Sequence, residues 1–371
     1  MNKCGRSRSR SGAGVTLSAD FGRRLAQNKS ILFCLAIIGT NAVVTPCPAA
    51  TKEWIARNNA NWSEPGNWKP AGAPQNGDDV IFHATEEEPL PRLDMNNDLV
   101  DLRVRRIEFC GHSWRLGGNE LTLLERVVVY DSLCGASSIV FTGPLKLGNS
   151  TRMHIGWGSI ILRGNIDLNG NHLILSSGDQ MIVSGQITGS GNVSAVIDAF
   201  TERENSLTFD GPAGNTFSGK LTVIRLYQDK GQVVFDKQSG VVVNDALLIG
   251  DRSSDIGRPA VCKLARSHQI GDSAEVCITG GSRLLLDGHS ETIGSLCLTN
   301  NSTDTATTLV DTGGSTLSVQ GDLMAVNDSL LVIPTIKGKL GLPGPAAGAA
   351  KERRGVTISS SLSQPLSPAT K

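Results

Sequence analysis

GSIILRGNIDLNGNHLILSSGDQMIVSGQITGSG, from Gly158 to Gly191, alternates short apolar runs with turns. Apolar residues fall at Ile160/Leu162, Ile166/Leu168, Leu173/Leu175 and Ile182, with Gly-Asn, Asn-Gly or Ser-Gly between the runs. Alternation at period two makes strands, and nothing in the stretch carries the 3.6-residue period of a helix. The runs are too short to stand as independent hairpins. They read as rungs of a β-solenoid, in which each coil buries its apolar face by stacking on the next.

Working outward, the same phrase recurs from Leu121 to Ile333, and composition agrees with it. The chain has 371 residues, 42 of them Gly, with only 4% aromatic residues, which suits tight turns around a Val/Ile/Leu core. The expected organisation is a signal peptide with a long basic n-region over 1–50, an N-terminal cap over 51–98, solenoid repeats over 99–340, and a low-complexity tail over 341–371 with a last strand near 355–359. The leader reading rests on basic residues up to Lys29, the apolar run ILFCLAII from Ile31 to Ile38, and small residues at Ala49 and Ala50. Export to the cell surface or the medium follows from it.

Formal net charge is zero, yet seven basic residues and one acid lie in the first 50 positions. From Thr51 onward 28 basic and 34 acidic residues remain, a net of −6. Phosphate recognition needs clustered Lys and Arg, so a nucleic-acid partner is not expected. No stretch after the leader approaches the ~20 apolar residues of a spanning helix, so no transmembrane anchor is expected in the chain.

Cys110, Cys134, Cys262, Cys277 and Cys297 follow the leader, an odd number without CxxC spacing, which argues against both a tidy disulfide framework and a cysteine zinc site. Alternation turns Cys277 and Cys297 outward, one coil apart, where they could stack and pair. His112 and His289 sit in Gly-containing turns with no metal-ligand spacing. Glycoside hydrolysis needs two carboxylates across a groove. Asp78 and Asp79 are adjacent, but alternation sends them to opposite faces, and turn formation accounts for them. Arg103, Arg105 and Arg106 read as the wet face of a strand, with an anionic glycan as the competing reading. Ser194–Asn205 reads as an acidic loop leaving one corner. No catalytic residue, metal or cofactor is expected.

Thr51–Phe82 differs from the rest in carrying Trp54, Trp62 and Trp68 among turn residues. The end of a solenoid is an open sheet edge, and a cap that covers it explains such a segment. The functional alternative makes Trp54, Trp62 and Trp68 candidate glycan contacts, stacking on sugar rings.

Two segments go beyond a generic β pattern: SLTFDGPAGNTFSGKLTV from Ser206 to Val223, and QIGDSAEVCITGGSRLLLDGHSETIGSLCL from Gln269 to Leu298, with its SETIGSL phrase. With the opening NWSEPGNW and GDDVIF, they resemble the autotransporter-associated β-strand repeat, also called the passenger-associated transport repeat, over roughly Trp54 to Val326. The resemblance implies a right-handed parallel β-helix exported by a bacterium, non-enzymatic, with a structural or adhesive role. Its partner would be an unidentified surface ligand, polysaccharide among the candidates. Autotransporters of that kind end in a membrane β-barrel, and Ile336–Lys371 has no such pattern, so the expectation is release by another route or truncation. The competing classes are a β-helical carbohydrate-active enzyme and a glycan-binding module.

Overall fold

The computed structural model describes residues 49–84, 91–130, 137–198, 205–226, 231–250, 258–301, 306–329, 331–342 and 357–359. The expected leader, residues 85–90, Cys134 and most of the tail lie outside these residues.

One coil shows how the others are made. Thr151–Ile155 forms a strand on a first face, Gly158–Leu162 a strand on a second, and Ile166–Asp167 a short third side. The chain then returns as His172–Ser177, which lies parallel on Thr151–Ile155 with Thr151 beside Leu173. Repetition gives a parallel β-solenoid of about ten turns, near the dozen coils that its length suggests. Coil length varies, from 19 residues between the register partners Val104 and Leu123 to 29 between Leu247 and Val276.

Alternation places one side chain in two inside, and stacking aligns these into columns. On the first face Ile107, Val127, Met153, Leu175, Ala195, Val223, Ile249, Ile278 and Leu298 are successive register partners, all buried. On the second face the column runs Trp114, Ile139, Ile160, Met181, Leu207, Val233, Cys262, Leu284, Val310 and Ile336. Each such aliphatic side chain contributes about 1.5–3 kcal/mol by leaving water. Cys262 replaces an aliphatic residue there, and complete burial pushes its thiol far above the usual range. Ile182 departs from the sequence reading: Met181 and Val183 face in and Ile182 faces out, half-buried.

The N-terminal end is closed by aromatic packing. Trp54, Trp62 and Trp68 are at most 1% exposed, with Trp54 and Trp62 each meeting Trp68 edge-on at 5.0 and 5.3 Å. Phe82 stacks on Phe109 at 5.0 Å and joins the group to the first coils. Trp68–Lys69 runs antiparallel along Thr51–Trp54, covering an edge that would otherwise offer parallel pairing. At the other end Thr357–Ser359 adds a last parallel strand to Thr335–Gly341.

Ser194–Asn205 is corrected at its start. Asn192–Ile197 is a strand paired on both sides, and Ser194, Val196 and Asp198 are buried. Val193, Ala195 and Ile197 supply the inward alternation that the acidic residues after them obscured. Cys110 is disulfide-bonded, a bridge that the cysteine spacing alone does not identify. Cys277 and Cys297 stack in register on the outer face, as alternation predicts. Among the described residues no helix is long and apolar enough to cross a membrane.

Candidate functional site

The outward positions of the second face form two parallel columns. In the first, Ser113, Ser138, Ser159, Gln180, Ser206 and Gln232 are register partners on six consecutive coils. In the second, Val140, Ile161, Ile182, Thr208 and Val234 follow one another, all half-buried. Small polar side chains beside branched apolar ones leave a shallow open groove of about 450 Å³, lined by Ser113, Ser137, Ser138, Gly158, Ser159, Asp179, Gln180 and Ser206.

Backbone demands shape its floor. Gly158 has φ 102°, and a Cβ there would stand 2.0 Å from the Ser137 carbonyl oxygen, so only glycine fits. The Gly158 N–H donates to Asp179 Oδ2 at 2.8 Å, tying two coils together. Ser138 and Ser159 hydroxyls lie 2.9 Å apart across the same step. Ser137 Oγ is buried and has no hydrogen-bond partner among the described residues. Trp157 immediately precedes Gly158 and is 44% exposed, whereas the other four tryptophans are at most 1% exposed.

The sequence-predicted residues lie elsewhere. Trp54, Trp62 and Trp68 present no ring face to solvent, so the sugar-platform reading of them is corrected: their rings fill the first coils. Trp54 Nε1 donates to the Arg92 carbonyl and Trp68 Nε1 to the Trp62 carbonyl, each at 2.8 Å. Asp78 accepts from the N–H groups of Ala50 and Gln75, both at 2.9 Å, while Asp79 pairs with Arg105 at 2.5 Å. Arg106 pairs with Glu108, so two of the three arginines of that strand are matched by acids. His112 and His289 occupy turns, half-buried, and no group of three His, Cys, Asp or Glu among the described residues could hold a metal.

Two further polar clusters invite a chemical reading. On the first face Ser176 Oγ lies 3.1 Å from His154 Nδ1 and donates to Asp198 Oδ2 at 2.8 Å, with Arg152 donating to both Ser176 and Asp198. A Ser-His-Asp triad needs the carboxylate behind the histidine and the hydroxyl in front of substrate. Here the carboxylate accepts the serine hydroxyl's hydrogen bond directly and Ser176 is fully buried, so the cluster ties coils together.

At one corner Lys237 is fully buried, its Nζ donating to the carbonyls of Val183, Ser184 and Gly185 at 3.4, 3.4 and 3.0 Å. Burial pushes its ammonium down to about 8, with Asp210 opposing the shift. Two coils on, Glu291 accepts from the N–H groups of Gln269, Ile270 and Thr292 at 2.7, 3.3 and 3.0 Å. Burial pushes its carboxyl up to about 7 although these donors favour the charged form. Glu291 is the acid of SETIGSL. In the same phrase Ile293 and Leu296 are core residues, and Gly294 lies so near the coil below that a Cβ would be 2.4 Å from the Ser273 carbonyl oxygen.

The GNTFSG phrase has an equivalent logic. Asn215 Oδ1 accepts from Ile187 N at 3.0 Å and its Nδ2 donates to the Val242 carbonyl at 2.8 Å, spanning three coils, while Phe217 fills the core. Both phrases therefore specify coil stacking, and neither faces the groove. Comparison with known proteins finds no matching family, no matching curated protein and no matching solved structure.

Proposed function

We propose that the chain is an exported, non-catalytic β-solenoid with a structural or adhesive role at a bacterial surface, of the passenger type that its repeat phrases resemble. The observation that carries the reading is the outward polar column, unbroken over six coils from Ser113 to Gln232. Catalysis needs a few groups converging on one reacting atom, whereas this surface offers the same kind of group again at each coil. Repeated weak contacts add up through effective concentration, which suits adhesion to an extended partner. The disulfide at Cys110 supports export, since disulfides persist in oxidising compartments.

External protease on intact cells tests the reading. Loss of the protein under conditions that spare a cytoplasmic control is expected; full protection would remove the surface assignment. Incubating the purified full chain with a polysaccharide panel separates the classes: release of oligosaccharide would replace the non-catalytic reading with an enzymatic one.

A further inference from the structure

The groove of the second face combines a regular polar lining with little charge. We propose that it binds an uncharged, extended polysaccharide, with Trp157 stacking on a sugar ring at one rim. The inference rests on the adhesive reading above and gives it a ligand class.

Length comes first. The lining residues span the coils from Ser113 to Ser206, four steps of about 4.8 Å, or roughly 19 Å along the axis. An extended chain whose repeat is close to the coil spacing presents one unit to each coil. A hydroxyl or amide then meets each unit in turn.

Hydrogen-bonding capacity comes second. A serine hydroxyl donates once and accepts twice, so the Ser138–Ser159 contact leaves the pair with capacity for sugar hydroxyls. A merely solvated face explains polar side chains at these positions. It does not explain why four of the five column positions that line the groove are serine, hollowing the surface beside Val140, Ile161 and Ile182, whose half-buried side chains match the C–H faces of a sugar.

Charge decides the class. Asp179 is the one charged side chain among the described residues that line the groove; the cation of the adjoining column, Arg115, is the register partner of Val140 and lies at the far end, beside Ser113. A polyuronate or sulfated chain would bring anions against this carboxylate without a counter-charge, whereas a neutral chain gives it hydroxyl donors.

The test uses the full-length protein in affinity gel electrophoresis with soluble β-glucan, galactomannan and polygalacturonate. Retardation by a neutral polymer and not by polygalacturonate is expected. Ser159→Arg, which fills the groove, and Trp157→Ala, which removes the ring, should each weaken retardation at least tenfold. Thr222→Arg on the opposite face serves as a control and should leave it unchanged; matching circular dichroism spectra establish that the variants fold. Preference for polygalacturonate would overturn the charge argument. Retardation that survives both groove variants would place binding elsewhere and overturn the site while sparing the adhesive reading. Retardation by none of the polymers would overturn the ligand class, with surface display still judged by the protease experiment.

Discussion

Gly164→Ala tests the closeness of the coils most directly. A Cβ at Gly164 would lie 1.9 Å from the Gly143 carbonyl oxygen, 2.5 Å from its carbonyl carbon and 3.0 Å from Pro144 N. All three are backbone atoms of the coil below, so no side chain can rotate away. One coil on, a Cβ at Gly185 would lie 2.0 Å from the Gly164 oxygen, so the corner is a glycine column. Relieving the clash means spreading the coils by more than an ångström against the flanking bonds from Arg163 N to the Phe141 carbonyl and from Leu145 N to the Asn165 carbonyl, each 2.8 Å. Overpacking of this kind costs about 1–3 kcal/mol, and two weakened hydrogen bonds add about 0.5–1.5 kcal/mol each. The expected loss is about 2–6 kcal/mol, read as a lower urea midpoint by far-UV circular dichroism. Gly66→Ala is the control: its nearest atom is the Glu64 Oε1 end of a side chain at 3.7 Å, and a change within about 0.5 kcal/mol is expected. A Gly164→Ala protein within 1 kcal/mol of wild type would refute the close coil approach.

Glu291 predicts a stability slope: its folded pKa of about 7 lies above the unfolded value, so its contribution is fully present below about pH 4.5 and lost as pH rises through 7. The loss is at most about 3 kcal/mol, and Glu291→Gln should flatten urea midpoints across that window. Lys237, pushed down to about 8, has the opposite sign, so stability should rise between pH 8 and about 10.5 and Lys237→Met should abolish that rise. Asn215→Ala leaves the Ile187 N–H and the Val242 carbonyl unmatched and should cost about 2–4 kcal/mol in chemical denaturation, against less than about 0.5 for the exposed Asn119→Ala. Acrylamide should quench one class of tryptophan strongly, and Trp157→Phe should remove that class, since the other four rings are enclosed.

The strands were legible because burial on one face imposes period two, and Ile160, Leu162, Leu173 and Leu175 all face in as that period requires. Where acids follow closely, as after Ser194, composition concealed a strand whose inward residues Val193, Ala195 and Ile197 still alternate. The tryptophans were legible as a cap and misleading as a surface, because a ring able to stack on sugar is equally able to fill a core. Trp157 carried a usable signal: glycines flank it in Gly156-Trp157-Gly158, leaving no adjacent bulk to bury it.

The groove itself could not be read along the chain. Ser113, Ser138, Ser159, Gln180, Ser206 and Gln232 are separated by 25, 21, 21, 26 and 26 residues, so no fixed period joins them. Extra residues enter at the corners, where loop length costs little: each doubling adds only about 0.6 kcal/mol of closure entropy. Strand register is held far more firmly, because a slip of one residue would turn Ile160 and Leu162 into water and bring Ile161 inside. Column identity is therefore preserved through insertions that erase the sequence repeat. A solenoid can lengthen its loops freely and keep one face straight, which is the property that a surface gripping a linear partner requires.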